Sequence, residues 1–181
     1  MEIERMKHDY VRLLRHFGHD VSEKITYPKN LKAEYRILLN REKVEKIERK
    51  KKELEEIEIN YQKFIEPLSD LEIHDKLINI VPLRSINEFK EEGTVLDHCV
   101  YSNEYFKKIN CLILSSRIGE EHIETIEIDL KQMRIIQCRG KSNQSSSYHD
   151  RIIGLANKYM NLIRQRLTTQ NMLPTSMSIA K

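Results

Sequence analysis

The stretch ETIEIDLKQMRIIQCRG, residues 124–140, decides the fold. Ile126, Ile128 and Leu130 alternate with Thr125, Glu127 and Asp129, the period of two that gives a strand one apolar face. The run after the gap sets Ile136 and Cys138 on one face and Ile135, Gln137 and Arg139 on the other. Two such runs with a short gap between them read as an antiparallel hairpin. Its register depends on loop length. A two-residue loop, Lys131-Gln132, pairs Ile126 with Gln137 and Glu127 with Ile136. A three-residue loop, Lys131 to Met133, pairs Glu127 with Gln137, Thr125 with Arg139, Ile126 with Cys138 and Ile128 with Ile136. The second is preferred because it gathers polar with polar. It makes one patch of Thr125, Glu127, Gln137 and Arg139, either an ordinary wet sheet face or a site.

Working outward, CLILSSRIG (111–119) and HIETIEIDL (122–130) extend the hairpin into a meander. LINIVPL (77–83) is a further short, β-branched strand. Ser85, with Glu88 three residues on, caps a helix from Ile86 to about Glu92, where Gly93 interrupts it. Thr94 to Val100 reads as another helical turn or two, and Asn103 to Ile109 as a short helix. Ser145 to Ser147 cap a last helix whose apolar face is Ile152, Leu155, Ala156, Tyr159, Leu162 and Ile163. Periodicity fades after about Thr168, giving an expected flexible tail over 169–181.

The first third has helical rhythm. Ile3, Met6, Tyr10, Leu13 and Phe17 share one face, and Gly18 is a plausible stop. No Gly or Pro occurs from Lys29 to Glu66, so one long charged helix is expected there, ended by Pro67. Ile37, Val44, Ile47, Leu54, Ile57, Tyr61 and Ile65 form its stripe. That stripe is a partner-binding or coiled-coil seam, or it packs on the chain's own neighbouring elements; the second is preferred. The run REKVEKIERKKKELEE (41–56) interleaves acids with bases, as a solvated helix laced with Glu–Lys pairs does. The expected class is thus α+β. A helical extension (1–68) precedes an α+β domain (69–168) holding a three- to four-stranded antiparallel meander flanked by helices.

The chain has 181 residues, 31 Lys+Arg against 28 Asp+Glu and a net charge of +3. Its mean hydropathy is −0.60. No run approaches the roughly 18 apolar residues of a membrane span, and MEIERMKHDY has no apolar core for a secretory leader. Cys99, Cys111 and Cys138 are odd in number and form no C-x-x-C pair. Neither a disulfide framework nor a cysteine-rich zinc site follows. Reduced thiols and a cytoplasmic location are expected. The sequence carries no Walker loop, G-x-G-x-x-G, H-E-x-x-H or G-x-S-x-G, and it names no cofactor or metal.

The chemistry-bearing residues gather around the hairpin. Arg139-Gly140-Lys141-Ser142-Asn143-Gln144 is a basic turn leading toward a helix, of a kind that suits an anion. His98 has the side chain best suited to proton exchange near neutrality. In a helix it would not share a face with Cys99, so its partner must come from the sheet, and Glu127 is the natural one.

These residues also carry a resemblance. Glu92-Gly93-Thr94-Val95-Leu96-Asp97-His98-Cys99-Val100 resembles the E-G-x-x-L-x-H-C-V signature of the PcfJ-like family, named for a protein of conjugative plasmids. A strand ending in Arg117, then Thr125-Ile126-Glu127, then Gln137-Cys138-Arg139-Gly140-Lys141-Ser142-Asn143 follow in the family's order. Asp9-Tyr10 and Tyr27-Pro28-Lys29-Asn30-Leu31 match its helical lead-in, so the resemblance spans about residues 8 to 165. Asn110 stands where the family often has Gly, and Glu34-Tyr35 stands where a His is common. The resemblance implies association with mobile-element transfer and, since such proteins are typically longer, that this chain is the C-terminal portion of a longer architecture. It implies no reaction.

Three readings follow. In the first, an accessory protein of conjugative DNA transfer binds nucleic acid, another phosphate-containing ligand or a conjugation-machinery protein through Arg117, Thr125, Arg139, Gly140 and Lys141. In the second, a small enzyme uses His98 as general acid/base, Glu127 as its orienter or base, and Gln137 and Asn143 as hydrogen-bond donors to a nucleotide-like ligand. In the third, the long helix is an interaction module. The sequence does not set the oligomeric state.

Overall fold

The computed structural model describes residues 2–21, 27–108 and 110–169. The chain forms two compact units that divide between Glu56 and Ile57. Helix α1 is Glu2–His16 and helix α2 is Leu31–Ile65. Gly18 sits at φ 77° just past α1, the left-handed stop that glycine supplies most readily. In the first unit α1 packs on the side of α2 that carries Glu42 and Glu45. Leu13 is fully buried there, and the Arg12 guanidinium donates to Glu42 Oε1 at 2.8 Å. This side is not the expected stripe. Ile37, Val44, Ile47 and Leu54 are 40–66% exposed, and only the end of the stripe, Tyr61 and Ile65, is buried. Length and charge pattern predicted the helix; the covered side was set by α1.

Tyr61 and Ile65 belong to the second unit's core. The composition break at Pro67 therefore marks the end of α2, while the compact units separate within that helix. Five antiparallel strands follow: β1 Ile73–His74, β2 Asn79–Pro82, β3 Cys111–Ile118, β4 Glu121–Asp129 and β5 Arg134–Gly140, in the spatial order β1-β2-β3-β4-β5. The α+β class and the meander hold, with the two-residue β1 added at the edge. Gly119, at φ 59°, forms the tight β3–β4 turn.

The β4–β5 register pairs Glu127 with Gln137, Ile126 with Cys138 and Thr125 with Arg139, the polar-with-polar arrangement. It departs from the expected pairing beyond Glu127. Ile128 pairs with Ile135, Asp129 with Arg134, and Ile136 is the extra residue of a bulge. The connection is accordingly Leu130 to Met133, one residue longer than expected. Ile136 is half exposed instead of stacking on Ile128.

Helix α3 is Ile86–Val95, and it runs through Gly93 instead of stopping there. A Cβ at Gly93 would meet the His98 carbonyl at 3.1 Å, so the glycine lets the next segment fold back against the helix. Residues 96–104 are turns, not helix, with Asp97 and Glu104 in the left-handed region. A single 3₁₀ turn at Tyr105–Lys107 replaces the expected short helix, whose last residue, Ile109, lies outside the described residues. Asn110 has φ 63°, the conformation that explains Asn at a glycine-like position. The last helix is broken at Tyr159 into α4, His149–Lys158, and α5, Met160–Thr169. The serines do not cap it directly. Tyr148 holds the N-cap position without a side-chain bond, and Ser146 Oγ accepts from the Tyr148 N–H. The expected tail beyond Thr169 lies outside the described residues.

Both sheet faces are covered. Ile126, Ile128, Cys138, Leu112 and Leu114 share the face that carries α4 and α5, where Ile152, Ala156 and Ile163 are fully buried. Ile113, Ser115, Thr125, Glu127 and Gln137 share the other face, beneath α3 and the turns after it. Phe89 links the Tyr61 and Phe106 rings edge-on there. The polar patch is thus not an ordinary wet face: Thr125 is 7% and Glu127 4% exposed.

Candidate functional site

Burying polar side chains requires partners, and the covered polar face supplies them in two connected groups. The first is centred on Glu92, fully buried on α3. Its Oε1 accepts from the Thr125 hydroxyl at 2.6 Å, and its Oε2 accepts from the Ser115 hydroxyl at 2.8 Å. His122 Nδ1 lies 2.5 Å from Oε2. His98 Nε2 lies 2.8 Å from Thr125 Oγ1. Thr125 has one hydroxyl proton and gives it to Glu92, so it accepts from His98. That assigns the neutral imidazole its tautomer: the proton is on Nε2, and Nδ1 is the basic atom. Burial lowers the His98 pKa from its ordinary value, outweighing its own backbone hydrogen bond and the nearby Glu92 and Asp97.

The second group is centred on Glu127. Lys108 Nζ donates to Glu127 Oε1 at 2.7 Å and lies 3.3 Å from the centre of the Tyr105 ring. Gln137 Nε2 donates to Glu127 Oε2 at 2.7 Å and to the Tyr105 hydroxyl at 3.1 Å. Burial works to lower the Lys108 pKa, but Glu127 outweighs it and the net shift is upward. Glu127 therefore holds an ammonium and an amide. His98 is oriented by Thr125 and Glu92, not by Glu127.

The two groups meet at one cleft of about 80 Å³, lined by His98, Thr125, Glu127, Gln137, Arg139 and Asn143, together with Cys99 and Tyr105. All four residues read as acid, base or hydrogen-bond donors in the sequence (His98, Glu127, Gln137 and Asn143) are among them. Cys99 joins His98 there because the segment is a turn, so the helical geometry expected to separate the two side chains does not apply.

The residues read as ligand-binding divide. Thr125 and Arg139 line the cleft. Arg117 Nε donates to Ser115 Oγ at 3.2 Å and so supports the Glu92 group. Lys141 lines a separate depression with Val95, Leu96 and His122. The expected cluster of Arg117, Arg139 and Lys141 is thus not one patch. Nor is the turn after β5 an open cradle. The Gly140 N–H donates to Gln144 O, the Ser142 N–H to Leu96 O and the Gln144 N–H to Lys141 O. Helix α4 begins further on, at His149. Gly140 is required for space, since a Cβ there would meet the Ile123 carbonyl at 2.6 Å. The turn's contribution to the site is Asn143, held at φ 61°. Ser142 ties this wall to the other: its N–H reaches Leu96 O at 2.8 Å and its hydroxyl reaches Asp97 Oδ2 at 3.0 Å.

Glu92, Ser115, His122, Tyr105 and Lys108 were missed by the sequence reading as site residues. Glu92 left a signal. On a helix it falls between Phe89 and Leu96, so a carboxylate interrupts a buried apolar side. Lys108 and Tyr105 left none, because their turn lacks periodicity.

On the opposite face Glu124, fully buried, accepts from the Ser146 N–H and lies 2.7 Å from Cys138 Sγ and 2.8 Å from His149 Nδ1. These three side chains bring donor atoms of the types zinc accepts within 4.8 Å of one another. As they stand, they satisfy one another by hydrogen bonds. Burial works to raise the Glu124 pKa, yet those bonds hold it below its ordinary value, while burial raises the Cys138 thiol.

Among the described residues, no helix is long and apolar enough to cross a membrane. Comparison with curated proteins and with solved structures yielded no match. The family model described as PcfJ-like protein matches residues 6–153, which takes in most of α1, all of α2, the sheet and both walls of the cleft. The chain therefore belongs to the PcfJ-like family.

Proposed function

We propose that this chain is a cytosolic accessory protein of mobile-element DNA transfer. Its cleft takes the phosphate-bearing end of a nucleotide-like ligand, at which His98 exchanges a proton. The transfer setting is supported by membership of a family named for a conjugative-plasmid protein. The observation that carries the chemistry is the chain His98–Thr125–Glu92, which fixes a half-buried imidazole in one tautomer at the cleft. Its lowered pKa keeps it neutral, and so basic, near pH 7. Arg139 and Asn143 supply cationic and amide character for an anionic group. The cleft, of about 80 Å³, has room for a phosphoryl-sized group. The nucleic-acid reading retains Arg139 alone of its three cations at this cleft.

The test is titration of the ¹⁵N-labelled chain with inorganic phosphate and a nucleoside diphosphate. Shifts confined to His98, Thr125, Gln137 and Asn143 are expected, weakened by Asn143→Ala and Arg139→Ala. His98→Asn should retain ligand shifts while abolishing any turnover of the diphosphate. Unmoved cleft resonances at millimolar phosphate and nucleotide would refute the reading.

A further inference from the structure

Helix α2 carries an exposed apolar seam with the phase of a coiled coil. Ile37, Val44 and Lys51 repeat every seven residues, and Asn40, Ile47 and Leu54 lie between them at the three-and-four spacing of a and d positions. Ile37 is 60%, Val44 53%, Ile47 66% and Leu54 40% exposed. Apolar side chains gathered on one strip of a charged helix mark an interaction surface. The helix α1 does not compete for that strip. It occupies the opposite side of α2 through the Arg12–Glu42 and His16–Glu45 pairs, with Arg41 stacked 4.3 Å from the Phe17 ring centre.

Charge selects the occupant. The residues flanking the seam are Arg36, Lys43 and Lys50 on the g side and Arg41, Glu48 and Glu55 on the e side; Lys43, Glu48, Lys50 and Glu55 are all exposed. A second copy laid parallel and in register sets Lys43 against Glu48 of the other copy and Lys50 against Glu55. Symmetry doubles both pairs. Among the flanking pairs Arg36 against Arg41 is unfavourable, and within the seam Lys51 meets Lys51 of the other copy, a layer that costs stability. An antiparallel copy sets g against g and e against e, which places Lys opposite Lys. β-Branched Ile37 and Val44 at a, with Leu54 at d, favour two strands, and polar Asn40 and Lys51 penalise slipped registers.

We infer that α2 pairs with α2 of a second copy of this chain as a short, parallel, in-register coiled coil over residues 36–55. With four apolar seam residues per copy, the dimer is a weak one, with Kd on the order of 10 μM.

The experiment is sedimentation equilibrium of the full chain at concentrations bracketing that value. A reversible monomer–dimer equilibrium is expected. Val44→Asp with Ile47→Asp should leave the chain monomeric with an unchanged circular-dichroism spectrum, because both positions are exposed in the single chain. Lys43→Glu with Lys50→Glu should weaken the dimer at least tenfold, and adding Glu48→Lys with Glu55→Lys should restore it. Val44→Cys should form a disulfide-linked dimer under mild oxidation, beyond the level given by the native Cys99, Cys111 and Cys138. A chain that stays monomeric throughout, including one that instead binds an unrelated protein, overturns the inference. So does a dimer indifferent to Val44 and Ile47, or one that the charge exchange fails to restore.

Discussion

Replacing Glu92 tests the physics of the cleft most directly. Its carboxylate accepts from Thr125 and Ser115 and faces His122 Nδ1, with the residue itself fully buried. Hydrogen bonds to an ionised group contribute about 1.5–3 kcal/mol each, and a buried donor left alone costs about 1–3 kcal/mol. In Glu92→Ala the Ser115 and Thr125 hydroxyls can rotate toward each other across the β3–β4 pair, whereas His122 loses its acceptor outright. The expected loss is therefore about 3–5 kcal/mol, one strong hydrogen bond lost together with the His122 group left without its partner. That is a large share of the roughly 5–15 kcal/mol that stabilises a domain. Urea denaturation should show a lowered midpoint with an unchanged slope. Glu92→Gln keeps the volume and one acceptor oxygen, so it should lose less and stay folded. It also removes one of the charges that favour the His98 imidazolium, so the His98 pKa, read by NMR, should fall further below its ordinary value. A loss under about 1 kcal/mol in the alanine variant would refute the proposed role of this hydrogen-bond centre. So would a His98 pKa indifferent to Glu92→Gln.

Other outcomes follow from particular contacts. Gly140→Ala places a Cβ 2.6 Å from the Ile123 carbonyl and should cost about 1–3 kcal/mol by forcing β4 and β5 apart, again read from the urea midpoint. Ile136→Thr, at the exposed bulge, should stay within about 0.5 kcal/mol of the parent; a loss near that of a core residue would place Ile136 on Ile128 after all. Because the His98 pKa is lowered in the folded chain, the unfolded chain takes up this proton first as pH falls through about 6.5. The contribution of His98 is complete above that value and is lost between it and the folded pKa, so His98→Gln should flatten stability against pH there. In the first unit, Arg12 holds Glu42 at about 2 against the opposing effect of burial. That stabilising contribution is present above about pH 4.5 and lost as pH falls through about 2, a decline that Glu42→Gln should remove.

The sheet was legible because Ile126, Ile128 and Leu130 alternate with Thr125, Glu127 and Asp129, and the hairpin register was legible as far as Gln137. It failed at Ile136, since the adjacent Ile135 and Ile136 leave two ways to keep an apolar side chain inward and a bulge resolves them in space. The stripe on α2 was found by spacing, but spacing does not say which side a neighbouring helix takes. His98, Glu127, Gln137 and Asn143 stood out as polar types that packing does not require. Their partners are less legible: Glu92 shows only as a carboxylate on an otherwise apolar helix side, and Lys108 and Tyr105 lie in an aperiodic turn. The basic turn reads as an open cradle in sequence, but its Gly140, Ser142 and Gln144 N–H groups are engaged by Gln144, Leu96 and Lys141 carbonyls, which local sequence does not announce.

The ties from Ser142 to Leu96 and Asp97 have a consequence for how the protein comes into being. Ser142 and Asp97 lie 45 positions apart, and between them run all three long strands. Closing that loop is unfavourable until the intervening pairing has formed. The cleft is therefore absent from any nascent or partly folded chain until β5 has joined β4 and residue 142 has emerged. A ligand that binds there acts on the finished molecule alone, and its binding energy accrues to the last step of assembly.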